Sequence, residues 1–316
     1  MSGLRRRLRA VWQAYNHNPR RHVLEAGLIG LSFLLMARAL AGSLSQLNRS
    51  DIQFDVRSFL YALALTFLSV LGGTLGWAHI IRAWYPKTPY LAAIRYHLIS
   101  IAAKYLPGFG WQQVSKVVQL NRGGASLALA ALPVTLELAT VIITGTIIGA
   151  LCFVVAPNPI SPWPPATIVT LVLFSLIAFI ALPLLFSSWI SRKADHASSY
   201  AAILLNLLVA EMFIIASWIF LGIGLWFTSR IFYDTSYLDI PFFVTSVVIG
   251  FIVSLAVIFV PNGWGVRELT LSFLLQVVVP SSIAVVASIM FRVIIVMVEI
   301  SFILPVLLLK LRQRHS

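Results

Sequence analysis

The stretch AVIFVPNGWGVRELTLSFLL, Ala256 to Leu275, breaks an apolar run with Pro261, Gly263 and Gly265 and then sets Arg267 beside Glu268. Proline ends a helix and glycine permits a sharp reversal. Inside hydrocarbon, the backbone amides freed by such a break must be buried in protein or line a wet cavity. The helix that follows begins at membrane depth with free N–H groups, a positive dipole end and Arg267 beside it, a combination that favours an anion, phosphate above all.

The rest of the chain makes hydrocarbon the right solvent to assume. Of 316 residues, 59% are hydrophobic and 10% charged, and mean hydropathy is +0.93. An average soluble domain carries about 25% charged residues. The composition implies an all-α polytopic membrane protein, with a basic amphipathic segment over 1–21, one membrane domain over 22–310 and a short tail over 311–316. Leu4, Leu8, Val11, Trp12 and Tyr15 recur at helical spacing among arginines, as in a helix lying on a leaflet surface.

Formal net charge is +13. Arginines precede the first apolar run, and Lys310, Arg312 and Arg314 close the chain. Basic termini place both ends in the cytoplasm of a cell inner or plasma membrane, which requires an even number of crossings. Topology accounts for this charge, with attraction to anionic headgroups as a sharper alternative. Because the charge flanks membrane segments rather than covering a soluble face, no nucleic-acid partner is expected. The single cysteine, Cys152, allows neither an intrachain disulfide nor a cysteine cluster for zinc, and no cofactor is called for.

Seven spans are expected, over 23–42, 57–83, 126–156, 165–189, 200–229, 242–261 and 282–309, with shorter pieces at 91–120 and 265–279. Parity then requires the short helix after PNGWG to cross as an eighth, or nearly so. The segment around KYLPGFGW, Lys104 to Trp111, must enter and return on one side, flanked by Arg82, Lys87 and Arg95 before it and Lys116 and Arg122 after it. About eight transmembrane helices with re-entrant or broken segments result.

The two breaks resemble each other. Each is a proline–glycine interruption with aromatic and basic neighbours, and each precedes a long apolar helix holding one interior charge, Glu137 or Arg292. They read either as an internal repeat, inverted as in many transporter folds, or as two unrelated turns. Glu137 lies about 16 Å into its helix and Arg292 about 15 Å into its own, at 1.5 Å per residue. A charge near the middle of a core about 30 Å thick needs a partner or water. These charges either pair with each other, or with Arg267 and Glu268, to hold helices together, or they line a path for a charged substrate. Trp111, fixed in the first break, stands apart from the other tryptophans, which are expected mostly as interfacial anchors. His79 and His97 are expected as satisfied interior or interfacial histidines, and Glu211 as a lesser pathway candidate.

At KYLPGFGWQ (104–112), NRGG (121–124), Glu137, PNGWGVRE (261–268) and Arg292 the chain resembles the lysylphosphatidylglycerol synthase transmembrane region, or flippase-like domain, family. Asn262 stands where glycine is expected in the family pattern. The resemblance implies an eight-helix-type fold with re-entrant elements and a role in moving lipids between leaflets. It implies that Lys104, Pro107, Gly108, Arg122, Glu137, Pro261, Gly263, Gly265, Arg267, Glu268 and Arg292 shape or line the site, to which Trp111 and Gln112 of the quoted motif are added. No aminoacyl-transfer domain is expected after residue 310, so the reading is of a stand-alone member.

The leading function is a translocase for a phospholipid or polyprenyl-phosphate lipid, without an ATPase motif. The alternatives are an integral-membrane transferase, whose acids would be Asp51, Asp55, Asp234 and Asp239, and a scaffold for a partner lipid-modifying enzyme. A homo-oligomer is compatible with each.

Overall fold

The computed structural model describes residues 54–105, 110–156, 199–257 and 263–315, with Leu34, Arg38 and scattered positions between 170 and 188. The amphipathic segment over 1–21, most of the expected spans 23–42 and 165–189, and the breaks' own Pro107, Gly108 and Pro261 lie outside the described residues.

Among the described residues all regular structure is helical. In chain order the helices are α1 (Val56–Trp84), α2 (Tyr90–Ala103), α3 (Trp111–Arg122), α4 (Leu127–Val155), α5 (Tyr200–Arg230), α6 (Ile240–Ala256), α7 (Val266–Leu275) and α8 (Ser281–His315), with a 3-10 turn at Tyr237–Asp239. Among the described residues, five stretches are long and apolar enough to cross a membrane: Val56–Trp84, Leu127–Val155, Tyr200–Arg230, Tyr237–Ala256 and Ser281–Val306.

Helix starts follow local chemistry. Asp55 caps α1, accepting from the Arg57 and Ser58 amides, and Ser126 and Ser199 cap α4 and α5 through the Leu129 and Ala202 amides. Pro133 lies inside α4 and has no N–H to give to the Leu129 carbonyl. The Tyr85 hydroxyl donates to that carbonyl instead, at 3.1 Å.

Helices α1 and α5 run antiparallel through the centre. Asp55 N donates to Ile231 O at 3.1 Å, the Ser69 and Ser217 hydroxyls meet at 3.0 Å, and His79 Nδ1 lies 3.0 Å from Asn206 Oδ1. Small residues allow the close approach: a Cβ on Gly72 would lie 2.9 Å from the Phe213 carbonyl oxygen. One end of the bundle carries Arg82, Lys87, Arg95 and Arg122, and is called the basic end. The opposite end carries Asp55, Arg57, Arg230, Asp234 and Asp239.

The neighbours of each helix give its direction. Helix α4 starts beside Tyr85 and passes Trp218, whose Nε1 donates to Val141 O at 3.2 Å. It then meets Thr245, whose hydroxyl donates to Gly149 O at 2.9 Å, so it runs away from the basic end. Helix α8 packs Ile294 with Ala62 and Ile231, then Phe302 on Phe67, so it runs parallel to α1.

Two helix pairs enter and turn back. Helix α2 descends from the basic end along α1: Trp77 Nε1 donates to Ala93 O at 3.1 Å, and Leu98 and Ile101 sit by Val70. Its 14 residues span about 21 Å, too little to cross. Helix α3 climbs back, with Lys116 over Trp77 and Leu120 packed with Ile81. This is the re-entrant segment expected around Lys104 to Trp111.

Helix α6 enters from the opposite end, and α7 folds back along it. Gly263 abuts Ser254, and Arg267 and Leu271 abut Gly250, so partner numbers on α6 fall as those on α7 rise. The expected eighth crossing by the helix after PNGWG is therefore corrected: α7 returns toward the end where α6 began. Parity reasoning counted an apolar segment as a passage, but hydropathy carries no direction.

The two halves, α1–α4 and α5–α8, thus share one plan with opposite sense: a long helix, a re-entrant hairpin, then a long helix with a buried charge. The short returning helices both start at a left-handed glycine, Gly110 (φ 78°) before α3 and Gly265 (φ 79°) before α7. An inverted repeat describes this arrangement.

Candidate functional site

The described inner ends of the two hairpins meet near the middle of the bundle, where the Tyr105 and Trp264 rings lie 6.3 Å apart. A cavity of about 570 Å³ lies between them. From the first hairpin it is lined by Lys104, Gly110, Trp111 and Gln112, and from the second by Gly263 and Arg267. His97, Lys116 and Glu137 complete its charged wall, while Trp218 and Phe251 form much of its apolar wall.

Ion pairs organise the charges around it. Lys116, only 2% exposed, bonds both oxygens of Glu137 at 2.6 and 2.5 Å and sits 4.2 Å over the Trp77 ring. Lys104 pairs with Glu299 of α8, whose other oxygen accepts from the Tyr105 hydroxyl at 2.5 Å. Glu268 occupies the third position of α7, and its Oε2 accepts from the Gly265 amide at 2.7 Å, capping the helix from within. Its Oε1 faces Arg292 Nε at 3.5 Å, and the Arg292 guanidinium lies 4.6 Å over Trp264. Buried ions persist only when such partners offset desolvation.

Arg267 stands differently. Among the described residues it forms no salt bridge, its Nε is buried without a hydrogen-bond partner, and its guanidinium lies 5.3 Å over Phe251 at the cavity wall. Arg292, Glu268 and Glu299 are within its electrostatic reach. Arg267 and Arg292 thus share Glu268, leaving the set one cation richer than its carboxylates. The first turn of α3 adds the positive end of a helix, where Gly110 supplies no capping side chain and no acid stands in the turn.

Of the residues expected at the site, Lys104, Trp111, Gln112, Glu137, Gly263 and Arg267 line one cavity. Gly265, Glu268 and Arg292 lie directly behind it as cap and ion pair. Arg122 is corrected: it is exposed at the C-terminus of α3, at the basic end, away from the cavity. Of the expected pairings of the interior charges, that of Arg292 with Glu268 is present, whereas Glu137 goes to Lys116.

Sequence reasoning missed Lys116, read as a flanking charge, along with Tyr105 and the partnership of Glu299 with Lys104. His97 also reaches the cavity, with Nδ1 3.6 Å from Glu137 Oε1, whereas His79 is satisfied by Asn206 as expected. Trp77 is no interfacial anchor; it is wholly buried beneath Lys116. The spacing of Lys116 from Glu137, a return arm followed by a long helix, was the available signal. Asp55 and Asp234 are occupied elsewhere, by the α1 cap and by Arg230.

The model of the lysylphosphatidylglycerol synthase TM region family matches residues 24–301. The chain belongs to that family, a multi-pass membrane family with a lipid-related role. No curated protein matches the chain.

Proposed function

We propose that this family member is a lipid translocase. An anionic, phosphate-bearing head of a phospholipid or polyprenyl-phosphate lipid enters the cavity between the hairpin tips and passes between leaflets while its tails stay in the bilayer. The observation that carries this reading is Arg267: a guanidinium at mid-depth, on a cavity wall, with no carboxylate of its own among the described residues. Such a charge is costly inside a membrane unless a ligand or water meets it. Lys104 and the N-terminal end of α3 face the same space, so the groups that would hold a phosphate come from both halves of the repeat.

Opposed hairpins suit the task. Each half supplies one tip, and rocking one half against the other would open the same central site to either face in turn. Both termini lie in the cytoplasm of the cell membrane in this reading, because the basic end carries the loops rich in lysine and arginine. A partner enzyme that makes or consumes the lipid fits the role.

The test is reconstitution in phosphatidylethanolamine–phosphatidylglycerol vesicles carrying a headgroup-accessible fluorescent phosphatidylglycerol. Arg267→Ala is expected to slow flipping about tenfold or more, since a hydrogen bond to a charged group is worth about 1.5–3 kcal/mol. Glu137→Gln is expected to slow it as well. Unchanged rates in a folded variant would refute the site.

A further inference from the structure

We infer that His97 is a proton-binding site coupled to anion occupancy of the cavity, so that one proton is taken up with each anionic headgroup. The inference rests on the translocase reading and names the ion that accompanies the lipid.

His97 is buried on the inner half of α2 and lines the cavity. Among the described residues its Nδ1 has no hydrogen-bond partner, and it lies 3.6 Å from Glu137 Oε1. That distance exceeds a hydrogen bond. It suits a bare ring nitrogen facing a carboxylate oxygen, lone pair to lone pair, with the imidazole neutral and its proton on Nε2. A proton arriving at Nδ1 converts this repulsion into an N–H bond to Glu137.

The charged groups around the ring come from three elements. Lys116 of α3 and Lys104 of α2 itself lie within electrostatic reach, and Glu137 approaches from α4. Helix α1 presents only the Trp77 ring, 6.3 Å away. Lys104 is answered by Glu299 from α8 and Lys116 by Glu137. With the cavity empty, an imidazolium would be a further cation in a region already one cation in excess. A phosphate in the cavity supplies the missing negative charge and removes that objection. The proton then goes from bulk water to Nδ1, Glu137 is shared between Lys116 and His97, and the Lys116 ammonium gains freedom to face the phosphate.

Linkage makes this reciprocal: if anion binding promotes protonation, protonation promotes anion binding by the same factor. Affinity for the anion therefore rises as pH falls, by up to about tenfold per pH unit while one proton is taken up.

The experiment is calorimetric binding of dioctanoyl phosphatidylglycerol to the detergent-solubilised full chain. It is run in buffers of different ionisation enthalpy between pH 6 and 8. The phosphodiester does not titrate in this range, so any proton uptake belongs to the protein. The wild type is expected to take up close to one proton per lipid and to bind more tightly at pH 6 than at pH 8. His97→Gln is expected to show no uptake and a flat pH dependence. Binding without proton uptake in the wild type overturns this inference and leaves the translocase reading standing. Undiminished uptake by folded His97→Gln overturns it equally, and failure of the wild type to bind overturns both.

Discussion

Lys116 Nζ lies 2.5 Å from Glu137 Oε2, so the return arm of the first hairpin is tied to the long helix that follows it by a buried ion pair. The pair fixes α3 against α4 at the depth of the cavity and sets the carboxylate that His97 faces.

Breaking this pair from one side leaves the other charge buried. Lys116→Met and Glu137→Leu are each expected to destabilise the detergent-solubilised protein by about 3–5 kcal/mol, while the double variant Lys116→Met/Glu137→Leu costs less than either alone. Thermal unfolding followed by size-exclusion fluorescence measures this. Independent, additive losses would show that the two residues do not act as a pair.

The glycines of the two breaks have different demands. Gly263 has φ +63°, and a Cβ there would lie 2.4 Å from Ser254 Cβ, whereas Gly110, at φ +78°, has nothing within 4 Å of that position. Gly110→Ala is expected to cost about 1–2 kcal/mol for the left-handed backbone alone. Gly263→Ala should cost clearly more, because α7 must also move off α6. Equal melting temperatures for the two variants would contradict the described hairpin tip.

Tyr85 substitutes for an amide that Pro133 lacks. Tyr85→Phe removes the tyrosine's bond to the exposed Leu129 carbonyl and is expected to cost about 0.5–1 kcal/mol. In a Pro133→Ala background, where an intrahelical N–H returns, the same change should cost less. A double-mutant cycle with no coupling would place the tyrosine's role elsewhere.

The α1 cap gives a pH signature outside the membrane. The Ser58 hydroxyl, followed by the Arg57 and Ser58 amides, holds the Asp55 carboxyl below its ordinary value. A carboxyl depressed in the folded state stabilises fully above the unfolded value, near 4, and loses that contribution as pH falls through the folded value. Asp55→Asn should keep most of the cap and lose this acid dependence, while Asp55→Ala loses both. Hydrogen exchange at the Arg57 and Ser58 amides reports the difference; no change in either variant would remove the cap from the account.

Much of this was legible in the sequence. Long apolar runs with their capping residues place α1, α4 and α5 almost to the residue, and the start of α8, because length and hydropathy largely decide them. The two breaks are visible because proline and glycine have few other uses inside hydrocarbon. What escaped were relations between segments. Lys116 looks like a flanking charge because a helix returning toward the basic end passes through the same composition as a loop. The direction of α7 was hidden because α6, lined by protein, is as apolar as a crossing helix. Glu299 stands seven residues from Arg292 and yet serves Lys104, a choice made by the first hairpin's depth rather than by anything on α8.

The central claim is that an anionic lipid head occupies the space between the hairpin tips. It is tested most directly by electron cryo-microscopy of the full chain in nanodiscs rich in phosphatidylglycerol. The account predicts headgroup density within hydrogen-bond reach of the Arg267 guanidinium and beside Lys104, lost in Arg267→Ala. A cavity without headgroup density, and Arg267 turned into a closed pair with Glu268, would contradict it.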